Sequence, residues 1–107
     1  MPHEERRIFF DYSETYKAIY ALCVQKEMKK PPPGAITVIE TDPKDDKNLI
    51  FHIENNLDES GGRREYTRDF LAAALMLYCR TLRIPLPKGA RKSVDIEPDR
   101  VILNVNI

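Results

Sequence analysis

The hydrophobic and polar positions of this chain follow two different periods, which predict two helices and several strands. Apolar residues recur at helical spacing over residues 14–29 and share one face there: Tyr16, Ile19, Tyr20 and Cys23. Ser13 is the predicted cap of this helix. A second helix is predicted from Thr67 or Asp69, either of which can cap it, to about Leu82. Prolines at 31–33 and at 85 and 87 follow the two helices and end them, because proline has no amide hydrogen to donate.

Short runs of β-branched and aromatic residues, bounded by turn residues, predict the strands. They are Arg6–Asp11, Ala35–Thr41, Leu49–Glu54, Arg63–Tyr66, Arg91–Ile96 and Arg100–Ile107. Polar residues 42–48 and 97–99 are predicted turns of two hairpins, and residues 55–62 are a predicted loop. Apolar and polar residues alternate along the last strand, so one of its faces is expected to meet water.

The second half of the chain repeats the first. Tyr12–Ala18 matches Tyr66–Ala72, and the Gly-Ala pair at 34–35 returns at 89–90. Ile50–Glu54 matches Ile102–Asn106. Repeats of this kind indicate one supersecondary unit used twice. The two pseudo-repeats are predicted to span about residues 6–57 and 61–107 of a single domain, 1–107.

This order of elements predicts an α+β fold. Each half would be a strand, a helix and a hairpin of two strands. Two such halves are expected to form a two-layer sandwich, with both helices on one face of a mainly antiparallel sheet of four to six strands.

The sequence contains no apolar run long enough to span a membrane, and its first residues lack the apolar stretch of a secretory signal. These features predict a cytoplasmic location. The 107 residues carry 17 basic and 17 acidic side chains, which argues against a dedicated nucleic-acid binder. The charge is uneven, since residues 40–60 hold seven acidic and two basic side chains. Residues 61–92 hold eight basic and two acidic ones. Cys23 and Cys79 fall within predicted helices and are expected to be buried free thiols.

The second helix has no charged side chain from Phe70 to Cys79, although a helix that covers one sheet needs only one apolar stripe. Its extra apolar face predicts a homodimer interface. The predicted interface residues are Ala72, Leu75, Met76, Cys79 and Arg83. The alternative is that the loop at 55–62 or the other helix covers this face.

Basic residues cluster at the two joints between each predicted helix and the hairpin that follows it. They are Lys26, Lys29 and Lys30 after the first helix, and Arg80, Arg83, Lys88, Arg91 and Lys92 after the second. Cations near a helix C-terminus are explained by the helix dipole alone. Lys88, Arg91 and Lys92 lie beyond the helix, so they are the candidates for phosphate or nucleic-acid contacts.

Enzyme chemistry has little support in the sequence. His52 and Glu54 are predicted to point outward on one strand, with Asn104 and Asn106 as their repeat equivalents on another, forming a polar sheet-face site. The phosphate-loop, zinc and nucleophile-elbow motifs are missing, and no metal or cofactor is predicted. We therefore expect a non-enzymatic binding or scaffolding protein, homodimeric through its second helix. The alternative is a nucleic-acid-binding accessory protein that uses the basic helix-to-hairpin joints.

Overall fold

The computed structural model describes residues 4–55, 57 and 61–106. Its elements follow the order strand, helix, strand, strand, twice over. The first half contains β1 (Glu5–Asp11), α1 (Tyr12–Gln25), β2 (Ala35–Asp42) and β3 (Asp45–Glu54). The second half contains β4 (Gly62–Thr67), α2 (Arg68–Thr81), β5 (Arg91–Ile96) and β6 (Arg100–Asn106). The α+β class is confirmed. Part of the predicted loop at 55–62 lies outside the described residues.

The six strands form two antiparallel sheets of three strands each, and the single sheet expected from the sequence is thus divided. Sheet I has the order β1-β6-β5, and sheet II has the order β2-β3-β4. Each helix connects a strand of one sheet to an edge strand of the other. The first strand of each half therefore pairs with the hairpin of the opposite half, a choice that local sequence patterns do not encode.

One apolar core joins both sheets and both helices. The central strands supply Leu49, Phe51 and Ile53 from β3 and Val101, Leu103 and Val105 from β6. The helices supply Ala18, Ile19, Leu22 and Cys23 from α1 and Leu71, Ala74, Leu75 and Cys79 from α2. These alternating strand positions face the helices, as a half-buried sheet requires.

The caps explain where the helices begin. Asp11, rather than the predicted Ser13, caps α1: its Oδ1 accepts from the Glu14 amide at 2.7 Å, and Glu14 Oε1 accepts from the Asp11 amide at 3.0 Å. This reciprocal pair is a capping box. Thr67 caps α2 as predicted, accepting from the Phe70 amide at 3.0 Å.

Both helices also end in the same way. The amide of Met28 donates to the carbonyl of Cys23, and the amide of Ile84 donates to the carbonyl of Cys79, each at 2.8 Å. This is the Schellman motif, which satisfies the last free carbonyls of a helix. It ends α1 at Gln25, several residues before the predicted end at Lys29.

Candidate anion-binding site

A cavity of about 500 Å³ lies between the end of α2 and the segment that leads into β5. Its lining consists only of cationic and apolar residues: Met76, Arg80, Arg83, Ile84, Pro85, Leu86, Pro87, Lys88 and Lys92. We call it the basic cavity. Four cations around one concave surface give it a positive potential, and its low-dielectric walls strengthen that potential.

The Schellman turn of α2 positions two of the four cations. Arg80 lies in the last helical turn. Arg83 lies one residue past the C-cap Leu82, where its backbone adopts φ 60°. The turn directs the chain away from the helix axis, so that Lys88 and the strand residue Lys92 face the same space.

One wall of the basic cavity is the segment Pro85–Pro87, and two of its carbonyls accept hydrogen bonds from side chains. The Arg6 guanidinium donates to the Pro85 carbonyl at 2.8 Å. The Lys92 ammonium donates to the carbonyls of Pro87 and Ala90 at 3.4 and 3.1 Å. These bonds fix the wall against β1 and β5, and they hold the partly buried Lys92 side chain in place.

Among the described residues, no carboxylate lines the basic cavity. Within the described part of the chain, none of its four cations forms an ion pair with a carboxylate. A neighbouring cavity of about 450 Å³ differs, because Asp45 and Asp69 line it together with Arg68. Arg68 is also fully engaged there, donating to Asp46, Val94 and Thr41.

The residues predicted to contact phosphate separate in the structure. Lys88 and Lys92 line the basic cavity, whereas Arg91 is exposed on β5 and does not line it. The cluster after α1 lines none of the cavities described here, and its Lys30 instead lies over the Tyr20 ring at 5.6 Å. The structure thus groups two of the three predicted residues with Arg80 and Arg83, which the sequence analysis attributed to the helix dipole.

The predicted interface on α2 is largely internal. Leu75 and Cys79 are 0% exposed and belong to the core, so a partner cannot reach them. Ala72 and Met76 are half-buried and Arg83 is exposed. Two of the predicted interface residues thus lie on the core-facing side of α2, because this helix packs against α1 as well as against the strands.

The predicted polar sheet-face site does not assemble. His52 and Glu54 lie on sheet II, whereas Asn104 and Asn106 lie on sheet I. Each sheet carries its own exposed pair instead. His52 Nε2 lies 2.8 Å from Glu40 Oε2, and Asn104 Nδ2 donates to Asp95 Oδ2 at 2.7 Å. The His52 and Glu40 side chains are 41% and 56% exposed, so solvent screens this pair.

Both cysteines are buried and free, as predicted. Burial raises the pKa of the Cys23 and Cys79 thiols. A thiol with a raised pKa provides little thiolate, which is the nucleophilic form.

The lining of the basic cavity that sequence reasoning missed is apolar. The sequence predicts only the end of a helix from the prolines at 85 and 87, and it predicts a dimer interface at Met76. It assigns no role to Ile84 or Leu86. The sequence feature that could have indicated this cavity is the clustering of basic residues on both sides of a proline-containing segment.

Comparisons of the chain with known protein families, with curated proteins and with solved structures found no match. Among the described residues, no helix is long and apolar enough to cross a membrane. The geometry of the basic cavity is therefore the main guide to function.

Proposed function

We propose that the protein is a non-enzymatic binding protein and that the basic cavity is its site for an anionic ligand. The observation that carries this proposal is the grouping of Arg80, Arg83, Lys88 and Lys92 around one cavity without a lining carboxylate. Cations held close together repel one another, and an anion seated among them relieves that repulsion. Guanidinium and ammonium groups are the usual protein partners of phosphate and carboxylate.

The helix dipole alone does not explain these cations. Relative to the C-caps, Arg80 corresponds to Val24 at the end of α1, and Arg83 corresponds to Glu27. The last turn of α1 contains no basic residue, yet α1 ends with the same hydrogen bonds as α2. The scaffold thus tolerates apolar and acidic residues at these positions, which supports a role for the charges in binding.

The buried thiols and the exposed His52–Glu40 pair support the non-enzymatic half of the proposal. A general base works best in a site that excludes water and holds a substrate against it. His52 lies on an open sheet face, and neither Cys23 nor Cys79 is exposed. The buried free thiols also support a cytoplasmic location.

Internal duplication of a strand–helix–strand–strand unit is part of the same proposal. Exchanging the halves converts the order β1-β6-β5 into β4-β3-β2, which is the order of sheet II. The caps Asp11 and Thr67 are 56 positions apart, as are the positive-φ residues Glu27 and Arg83. This spacing differs by two from the 54 positions suggested by sequence alone for the helices. On this proposal, both joints carry basic residues, and those of the second joint line the basic cavity.

A homodimer through α2 remains a second proposal, reduced to Ala72 and Met76. Both are partly buried apolar residues packed against the core, and Met76 also lines the basic cavity. Sedimentation equilibrium of Met76→Glu tests it. A dimer that dissociates in this variant supports the proposal, and a wild-type protein that stays monomeric at high concentration refutes it.

Anion binding is tested by titrating the labelled protein with inorganic pyrophosphate and following backbone amide resonances. We expect shifts concentrated in residues 80–92. The double variant Arg80→Gln/Lys88→Gln should weaken binding about tenfold, because two favourable charge contacts are removed.

The matched control is Lys29→Gln/Lys30→Gln, which removes the same charge from the joint after α1. This variant should bind pyrophosphate within about twofold of the wild type, since screening weakens distant charges. Equal losses in the two double variants, or shifts spread over the whole chain, would refute the proposed site.

A further inference from the structure

The basic cavity offers a ligand hydrogen-bond donors and no free side-chain acceptor. Its only polar side chains belong to arginine and lysine, which donate and do not accept. The wall carbonyls of Pro85 and Pro87 already accept bonds from Arg6 and Lys92. Proline nitrogens carry no hydrogen, so the wall adds no donor at those two positions either.

Beside the four cations, the lining is apolar, and three of its apolar side chains are partly buried. Met76, Ile84 and Leu86 pack against the protein core and also face the basic cavity. A volume of about 500 Å³ is within the range of small-molecule sites. The space thus exceeds what a bare inorganic anion fills.

From this lining we infer that the ligand is an amphiphilic anion, with a phosphate or carboxylate head on an aliphatic or aromatic body. This inference rests on the proposed function and specifies the chemical class of its ligand. The head takes up the donors of Arg80, Arg83 and Lys88, and the body covers Met76 and Leu86. A ligand whose polar groups are mainly N–H donors fits poorly, because the arginine and lysine side chains of the lining accept no hydrogen bonds.

Isothermal titration with a series of alkyl phosphates, from ethyl to octyl, tests this inference below their micelle concentrations. Inorganic phosphate serves as the head group alone. We expect the association constant to rise about threefold to fourfold for each methylene that enters the cavity. The rise should stop once the chain fills the apolar lining.

Two variants separate the apolar contacts from the charges. Met76→Gln and Leu86→Gln should flatten the dependence of affinity on chain length, because each variant removes apolar contact area from the cavity. Leu82→Gln is the matched control, because Leu82 is 50% exposed and does not line the basic cavity. It should keep the full chain-length dependence. Thermal unfolding of each variant shows whether it remains folded.

The outcomes distinguish this inference from the proposed function. If every alkyl phosphate binds with the affinity of inorganic phosphate, the inference fails and the anion site stands. If neither inorganic phosphate nor an alkyl phosphate binds, both the inference and the proposed function fail.

A single-stranded oligonucleotide tests the alternative ligand. If it binds more tightly than octyl phosphate, and if Arg80→Gln/Lys88→Gln loses that binding, the inference is overturned in favour of nucleic acid. Decanoate run beside octyl phosphate identifies the preferred head group, and chain-length dependence with either head supports the inference.

Discussion

Tyr66 shows how a buried polar side chain can have only a weak polar neighbour. Its hydroxyl is buried and pairs with no nitrogen or oxygen of the described residues, and the Cys23 thiol beside it is a weak hydrogen-bond partner. Its ring stacks on Phe70 at 4.9 Å and meets the edge of Phe51 at 5.5 Å. Burial, and next the neighbouring Cys23 thiol, raise the pKa of Tyr66 to about 12. Phe10, which precedes the cap of α1 as Tyr66 precedes that of α2, carries no hydroxyl.

Tyr66→Phe should therefore leave the free energy of unfolding unchanged or increase it by about 1 kcal/mol, since the variant removes a buried hydroxyl whose polar neighbour is only a weakly bonding thiol. The pH dependence has a defined sign. The unfolded tyrosine ionises near pH 10 and the folded one near pH 12, so this group costs the wild type stability as pH rises between those values. Urea unfolding at pH 8 and pH 11 should show a smaller alkaline loss in the variant. A larger loss in the variant would contradict this account.

Two glycines at equivalent joints differ in the space around them. Gly34 has φ 139°, and a Cβ there would lie 2.3 Å from the Glu54 carbonyl oxygen. Gly89 has φ 78°, with nothing within 4 Å of the same position. Gly89→Ala should cost about 1 kcal/mol from backbone strain alone. Gly34→Ala should cost clearly more, because it adds a clash with backbone. Equal losses in chemical denaturation would contradict the described contact.

At the scale of elements, the ends of the helices combine structure with proposed function. Both Schellman turns place a residue other than glycine at positive φ, Glu27 at 54° and Arg83 at 60°. Glycine is the residue most often found there, because it has no Cβ to strain. Outliers of this kind persist where the surrounding structure holds them, and they are frequent at functional sites. Both residues are held by a Schellman turn, and Arg83 in addition lines the basic cavity.

Arg83→Gly should therefore raise the free energy of unfolding by about 0.5–1 kcal/mol and weaken pyrophosphate binding severalfold. Glu27→Gly is its matched control at the end of α1. This variant should gain similar stability without weakening the binding of pyrophosphate. Denaturation and titration of both variants provide the check, and an Arg83→Gly protein that keeps full affinity would exclude this residue from the site.

The helices and strands were largely predictable from the sequence, and the errors in that prediction show which forces act locally. Alternating and helical periods gave both helices and all six strands, because burial of one face sets those periods. The start of α1 was wrong by two residues, since Ser13 and Asp11 are both suitable caps and only Asp11 has Glu14 three positions later. The sequence placed Leu75 and Cys79 at an interface rather than in the core, because α2 is apolar on most sides and its sequence therefore gives little information about its orientation.

At the scale of the whole molecule, the pairing of strands was beyond local reasoning. Which of several similar strands become neighbours depends on contacts far apart in sequence, such as Phe9 with Ile102. The basic cavity also depends on contacts between residues that are far apart in sequence. Arg6 from the first strand fixes the wall formed by Pro85, and a sequence pattern does not bring those residues together.

The net charge of zero also conceals the uneven charge distribution of the molecule. Raising the salt concentration from about 0.05 to 0.5 M should weaken pyrophosphate binding substantially, because the Debye length falls to a few ångströms. Arg80→Gln/Lys88→Gln should show a shallower dependence than the wild type, since fewer charges contribute. Titrations at four salt concentrations test this. An identical slope in the two proteins would place the bound anion elsewhere.

The most direct measurement is a crystal structure of the protein with octyl phosphate. The account predicts phosphate oxygens about 3 Å from at least two of the cations Arg80, Arg83, Lys88 and Lys92, with the alkyl chain against Met76 and Leu86. A phosphate bound at another surface, or a chain that points into solvent from the basic cavity, would contradict it.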